Sequence, residues 1–345
     1  MDPLTHCALG AACAMAVARS GWRRAAALAG VAAGLLPDAD VFIRSQTDPL
    51  LGIEFHRHFT HAVVFQPVVA VLAATLAWAL CWKARPRWRD LWLPGLLAGL
   101  SHIFCDAWTS YGTRLWWPFS EARAAWDLVS IIDPLLTVPL VVLALLGLNR
   151  PSRKLPLAGL AWVAVYLGIG AMQHQRAASA LRELAAGRGQ AIERMTVKPS
   201  FGNTLVWRGL YESGGRYFSV ALRPGLGSTT ILEGDSAPVF QTAQAALPAG
   251  SRMADDLRRF AHFSDQWLAV AAQPGDGTVV VGDARYSLLP QKMAPLWGVV
   301  LDPSKPGQHV RWMNFRQVSK RDWQTLWRMV QAPLAKDEEP EDSAG

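Results

Sequence analysis

The chain has only four cysteines, Cys7, Cys13, Cys81 and Cys105, and no Cys-x-x-Cys pair. This spacing excludes a thiolate zinc ribbon and gives no disulfide framework, so the cysteines read as small packing residues. None follows Cys105, which permits an oxidising compartment for the remainder. Lys and Arg are absent ahead of the first apolar run, residues 7–18, which is preceded instead by Asp2 and His6. A cleavable secretory signal needs a basic leading region, so the N-terminus is expected to be retained. Charge is also missing from residues 62–82 and, apart from Asp133, from residues 128–148. No internal repeat of useful strength is visible.

What is present divides the chain in two. Of 345 residues, 51% are hydrophobic, but most of these precede residue 175, so the apolar character belongs to one half. Residues 62–82 and 128–148 have the ~20 apolar residues needed to cross a hydrocarbon core. Residues 91–103 and 155–172 are shorter but rich in Leu, Ala and Gly, and they complete an expectation of four spans. Residues 7–18 and 25–36 are too short to span; their Ala/Gly content suits a tight helical hairpin inside a helical bundle. The net charge of +7 would suit nucleic acid, yet Arg and Lys gather in clusters beside apolar segments: Arg19/Arg23/Arg24, Lys83/Arg85/Arg87/Arg89 and Arg150/Arg153/Lys154. Such clusters orient membrane proteins, so no nucleic acid partner is expected.

Past residue 175 the pattern changes to a polar, Ala/Arg/Glu-rich helix and then to short β-like runs at 203–207, 216–222, 279–281 and 299–301. Turns such as Ser213-Gly214-Gly215 separate them. A helix bearing Trp323 and Trp327 is expected over 320–331. The expected fold is therefore a mainly α membrane bundle followed by a smaller, β-rich α+β soluble domain. Its divisions are a membrane-embedded domain at 1–174, a helical connector at 175–195, a β-rich domain at 196–335 and a disordered acidic tail at 336–345.

Seven potential metal ligands accompany the apolar half: His6, Asp38 and Asp40 in Pro37-Asp38-Ala39-Asp40, His56 and His61 in His56-Arg57-His58-Phe59-Thr60-His61, and His102 with Asp106. Ionisable groups at membrane depth are costly and read as functional. His102 and Asp106, four apart on a helix, share one face. Asp38 and Asp40 follow Pro37 and are not ranked by spacing alone; a solvated turn is the plain alternative. Arg57 cannot bind metal but is suited to clamp a phosphate bidentately, with a headgroup-facing or pairing role as its alternative. His58 reads as a supporting or exposed residue. If the basic clusters lie in the cytoplasm, alternate crossing puts every ligand, and the part after residue 173, on the other side of the membrane. Imidazole and carboxylate together suit zinc, with manganese or iron as alternatives.

Trp116, Trp117 and Phe119 read as an interfacial belt or, more sharply, as the lining of a lipid-accessible pocket. Asp133, just before Pro134, reads as a helix-break hydrogen-bonding group or as a support for a metal-bound histidine. His174, His262 and His309 lack neighbouring ligands and read as structural or exposed.

These motifs carry a resemblance. His6, Pro37-Asp38-Ala39-Asp40, His56-Arg57-x-x-Thr60-His61 and His102-x-x-x-Asp106 resemble the YdjM-like family of membrane-bound metal-dependent hydrolases, over roughly residues 1–150. More remotely, their order is similar to the zinc-dependent phospholipase C and P1 nuclease type, which implies two or three zinc ions and phosphoester substrates. The later His-x-x-x-Glu pair of that type is missing.

Together these features give the expectation of an integral inner-membrane, metal-dependent hydrolase acting on a small-molecule or lipid phosphoester through activated water. Asp38 or Asp40 would orient or deprotonate the water, and Arg57 would hold the developing anion. Membrane lipids are the expected surroundings, and the C-terminal domain has no partner named by its sequence. The alternative is a non-catalytic membrane protein whose metal staples the hairpin to the bundle and whose extracytoplasmic domain binds a partner. Metal transport fits less well, because the ligands gather at one membrane face and mark no path across.

Overall fold

A computed structural model describes residues 1–19, 21–84, 86–150, 152–315 and 319–332. The expected acidic tail and Arg85 lie outside them. The chain forms two units, one of residues 1–172 with 201–204, the other of residues 173–200 with 205–345.

The first unit is helical: α1 (Pro3–Val17), α2 (Arg23–Leu35), a short α3 (Leu51–Phe55), α4 (Gln66–Leu80), α5 (Trp88–Ala107), α6 (Pro134–Leu148) and the start of α7 (Lys154–Gly187). Asp2 caps α1 by accepting from the Thr5 amide at 3.0 Å, and Pro3 opens the helix where its missing N–H costs nothing. α1 and α2 form the expected tight hairpin. A Cβ placed on Gly10 would lie 2.3 Å from the Gly30 carbonyl oxygen, and one on Gly34 would lie 2.5 Å from that of His6. Backbone contact this close requires glycine and gives dispersion contacts that larger residues prevent. Leu9, Met15, Leu136, Leu140 and Tyr166 build one buried cluster; Ala25, Ala29, Ala74, Ala77 and Leu91 build another.

Three segments among the described residues are long and apolar enough to cross a membrane: Arg23–Phe42, Val63–Leu80 and Lys154–Gly187. The expected four spans change in three ways. Residues 25–36 are not a short arm, because Pro37 continues α2 as a 3-10 turn, Leu36–Phe42. Residues 128–148 give a helix of only 15 residues, because Asp133 caps it and Pro134 starts it. Residues 91–103 lie within α5, which has 20 residues but carries Arg89, Asp90 and Asp106 and is less apolar. Asp133 accepts from the Leu136 amide at 3.4 Å and from the Tyr166 hydroxyl at 2.8 Å, so it has the helix-break role.

The second unit has two four-stranded antiparallel sheets. One is ordered β1 (Arg194–Pro199), β2 (Trp207–Ser213), β3 (Arg216–Pro224), β4 (Thr229–Pro238); the other β5 (Leu268–Ala272), β6 (Val279–Asp283), β7 (Trp297–Leu301), β8 (Arg311–Asn314). Gly214 and Gly215, at φ 57° and 70°, make the two-residue turn between β2 and β3, where left-handed backbone matches the strand twist. Residues 203–207 do not form the expected strand: the pairing begins at Trp207. Ala177, Leu181 and Ala185 of α7 pack on the first sheet against Trp207, Tyr211 and Leu222. Helices α8 (Arg252–Phe263) and α9 (Lys320–Gln331) complete the unit, α9 at the expected bounds with Trp323 and Trp327 exposed.

Candidate metal centre

In the helical unit, α1 begins, α2 ends, α4 begins and α5 ends at the same place, which brings the His and Asp motifs together. The buried carbonyl of Gly34, near the end of α2, accepts from His102 Nδ1 at 2.8 Å. That bond puts the proton of His102 on Nδ1 and leaves the Nε2 lone pair facing inward. His61 is oriented the same way. Its Nδ1 lies 3.0 Å from the Thr60 hydroxyl and 3.3 Å from Asp40 Oδ2, so its Nε2 also points into the cluster. The Gln66 side chain donates to the Thr60 and Ala62 carbonyls at 3.0 and 3.1 Å and holds this turn against α4.

Asp38, His61, His102 and Asp106 each offer one donor atom, all within 4.8 Å of one another. His61 Nε2 stands 3.1 Å from His102 Nε2, 3.1 Å from Asp106 Oδ2 and 3.5 Å from Asp38 Oδ1. His102 Nε2 stands 3.5 Å from Asp106 Oδ2 and 3.7 Å from Asp38 Oδ1. Bonds of ~2.0–2.1 Å to a tetrahedral zinc ion give a donor–donor edge of about 3.3 Å, which these five separations bracket. Asp106 Oδ2 is buried without a hydrogen-bond partner, although both Nε2 atoms stand near it. Burial acts to lower the pKa of His61, but the carboxylates of Asp106, Asp38 and Asp40 overcome it and raise the value to about 10. The surrounding carboxylates therefore favour positive charge at this point.

The remaining expected ligands lie around this set. His6 stacks on His102, ring centroids 3.8 Å apart, with Nε2 3.2 Å from Asp106 Oδ1 and Nδ1 buried without a partner. Asp40 is turned away from the four donors. It accepts from the Arg57 amide at 2.8 Å and the Thr60 hydroxyl at 3.1 Å, and its Oδ1 lies 2.9 Å from His56 Nδ1. His56 is partly exposed and outside the four-donor group. The structure therefore separates Asp38 from Asp40, which their spacing did not, and collects one four-donor group in the helical unit.

Arg57 is buried. Its Nη2 pairs with Asp106 Oδ1 at 2.9 Å, its Nη1 donates to the Thr109 hydroxyl at 2.9 Å, and its Nε has no partner. Its φ of 60° is left-handed, a strained state for a non-glycine residue, held by the Asp40 bond to its amide. The Met1 amino group also pairs with Asp106. Gly34, Gln66 and Thr109 escaped the sequence reading. They act through a carbonyl, an amide and a hydroxyl, with only the Gly/Ala-rich run around Gly34 as a sign of close packing. Trp116 and Phe119 are exposed, and Trp117 sits 5.5 Å from the His58 ring. In the second unit His309 pairs with Asp256 at 2.7 Å, and His174 lies edge-on to Trp207.

Residues 1–177 match the YdjM inner membrane protein family. The chain belongs to that family. It is an integral inner-membrane protein with apolar helices and a His/Asp group able to hold a metal ion. Among curated proteins it is similar to the uncharacterized protein YfhP of Bacillus subtilis (strain 168), 30% identical over 113 residues. That alignment covers 32% of this chain and 33% of the relative, so the chain spans about a third of the relative's length. No solved structure matches.

Proposed function

We propose that this YdjM-family protein is a membrane-embedded, metal-dependent hydrolase of phosphoesters, with Asp38, His61, His102 and Asp106 as ligands. The observation that carries this reading is the convergence of two imidazole Nε2 atoms and two carboxylate oxygens, all within 4.8 Å of one another. Two nitrogen and two oxygen donors suit zinc, and manganese or iron remain compatible with the set. When bound, the ion supplies Lewis acidity toward water and a phosphoryl oxygen. The protein supplies the rest. Asp40 holds the His61 ring in register through Thr60 and its own carboxylate. Arg57 fixes Asp106, and its unpartnered Nε is the donor left for an anionic substrate oxygen. Asp38, with a side chain 28% exposed while the other three donors are fully buried, is the side from which substrate reaches the site.

Purified protein should contain metal and hydrolyse at least one member of a panel of phosphomonoesters, phosphodiesters and phospholipids. Full metal occupancy without hydrolysis of any of them sinks the phosphoesterase reading. A structural metal is then the better account, and it has its own support: the three fully buried donors come from the 59–61 turn and α5, which an ion would tie to the end of α2. The basic clusters support an extracytoplasmic placement of the site and the C-terminal domain. A reporter after Gly345 should read as exported and one at Arg87 as cytoplasmic.

A further inference from the structure

The other end of the same helices carries a different chemistry. There α1 ends at Val17, α2 begins at Arg23, α4 ends at Leu80 and α6 ends at Leu148. Their ends surround a cavity of about 820 Å³ into which Arg19, Arg23, Arg24, Lys83, Arg150 and Arg153 all face. No carboxylate lines it among the described residues. Arg19 is ion-paired, 3.1 Å from Asp90 outside the lining. Two of the cations are braced by neutral groups: Arg23 donates to the carbonyls of Gly147 at 3.1 Å and Ser152 at 2.6 Å, and Arg153 to that of Ala18 at 2.9 Å. Carbonyl bonds fix a guanidinium without cancelling its charge. Convergent cations repel one another, and an anion among them relieves that cost.

Two further observations point to the nature of the anion. The first turn of α2 opens on the cavity, and Trp22 at its N-cap makes no side-chain cap bond, so amide N–H groups and the positive helix end add to the field. The walls are apolar: Leu80, Leu148, Trp22 and Trp82 line the same space, and Trp82 is exposed. Free inorganic phosphate has no use for such walls, whereas an amphiphile has. Basic pockets between membrane helices are suited to phosphate headgroups, and Trp belongs at headgroup depth.

We propose that this cavity binds the phosphate headgroup of an anionic phospholipid, with Arg23, Arg24, Lys83, Arg150 and Arg153 on the phosphate and Leu80, Leu148 and Trp82 along the chains. The site is separate from the His/Asp centre and does not depend on the hydrolase reading.

The test uses the full chain in zwitterionic detergent, titrated with phosphatidylglycerol, phosphatidylcholine or inorganic phosphate and followed by native mass spectrometry. Phosphatidylglycerol should bind and phosphatidylcholine should not compete. The triple variant Arg24→Gln/Lys83→Gln/Arg150→Gln should weaken phosphatidylglycerol binding by about 100-fold, each basic residue near an anionic headgroup contributing about fivefold. Bound metal and thermal midpoint serve as folding readouts and should not change. If the triple variant fails to fold, the single Arg24→Gln and Arg150→Gln variants, each expected to weaken binding several-fold, carry the test, with Arg24→Lys retaining most of it. Undiminished phosphatidylglycerol binding by folded variants overturns the site. Equal affinity for phosphatidylcholine, or inorganic phosphate displacing the lipid at equal concentration, overturns the lipid assignment.

Discussion

Two carboxylates of the second unit and the His/Asp cluster of the helical unit are buried in opposite ways. In the second unit Asp283 accepts from the Arg285 amide, Nε and Nη2 at 3.1, 3.0 and 2.8 Å, and Asp256 accepts from Arg259, His309 and the Val310 amide at 2.8, 2.7 and 3.0 Å. Both oxygens of each carboxylate are satisfied, so these networks close on themselves. In the helical unit Asp106 Oδ2 has no hydrogen-bond partner, His6 Nδ1 has none, and two Nε2 atoms face each other at 3.1 Å. A buried ion pair completes its own valence; a metal centre leaves donors aimed at a common point. The contrast distinguishes carboxylates whose oxygens are all hydrogen-bonded from a group of donors able to hold a metal ion.

Breaking the closed network should cost most in stability and nothing in metal. Asp283→Ala leaves the buried Arg285 with a single partner carboxylate, that of the more exposed Asp265, and should destabilise the second unit by about 3–5 kcal/mol, the scale for stranding a buried charge. Chemical denaturation checks the stability, and metal analysis of the folded fraction should give the wild-type content. Next in size, His61→Ala and His102→Ala should each weaken metal binding by more than about 100-fold, beyond the ~10–100-fold reported by loss of an outer partner. Unchanged stoichiometry in both folded variants would remove the centre.

Asp40→Asn sits between these extremes. Asp40 touches His61 only at Nδ1 and lies outside the four-donor set. Loss of its charge should therefore weaken metal by roughly 10- to 100-fold without abolishing it, as for a carboxylate that orients a ligating histidine. Isothermal titration with zinc on the apo protein reads this directly; complete loss of binding would make Asp40 a ligand.

The same pair shows what the sequence discloses. His102 and Asp106 were legible as a two-ligand face because helical spacing alone defines it. Asp38 and Asp40 were not separable, because which one turns inward depends on Pro37 continuing α2 as a 3-10 turn, which packs against α3, α4 and α5. Gly34 was readable as a packing residue but not as the acceptor that sets the His102 tautomer, since every residue carries that carbonyl. Among strands, β3, β6 and β7 announce themselves by β-branched and aromatic runs. β4 contains Gly234, Asp235 and Pro238 and exists because it pairs with β3.

The smallest expected effect is the sharpest test of the boundary. His56 and His61 share one six-residue motif, and spacing gave both the same role. The structure sets His61 fully inside the cluster and leaves the His56 side chain 31% exposed, bonded through Nδ1 to Asp40 at 2.9 Å. A partly solvated contact of this kind contributes less than about 1 kcal/mol. His56→Ala should accordingly lower zinc affinity by at most roughly fivefold, since 1.4 kcal/mol is tenfold, and leave the stoichiometry intact. If the His56 variant instead loses metal as completely as the His61 variant, His56 is itself a ligand, the four-donor set is incomplete, and the tetrahedral assignment gives way to a larger coordination sphere.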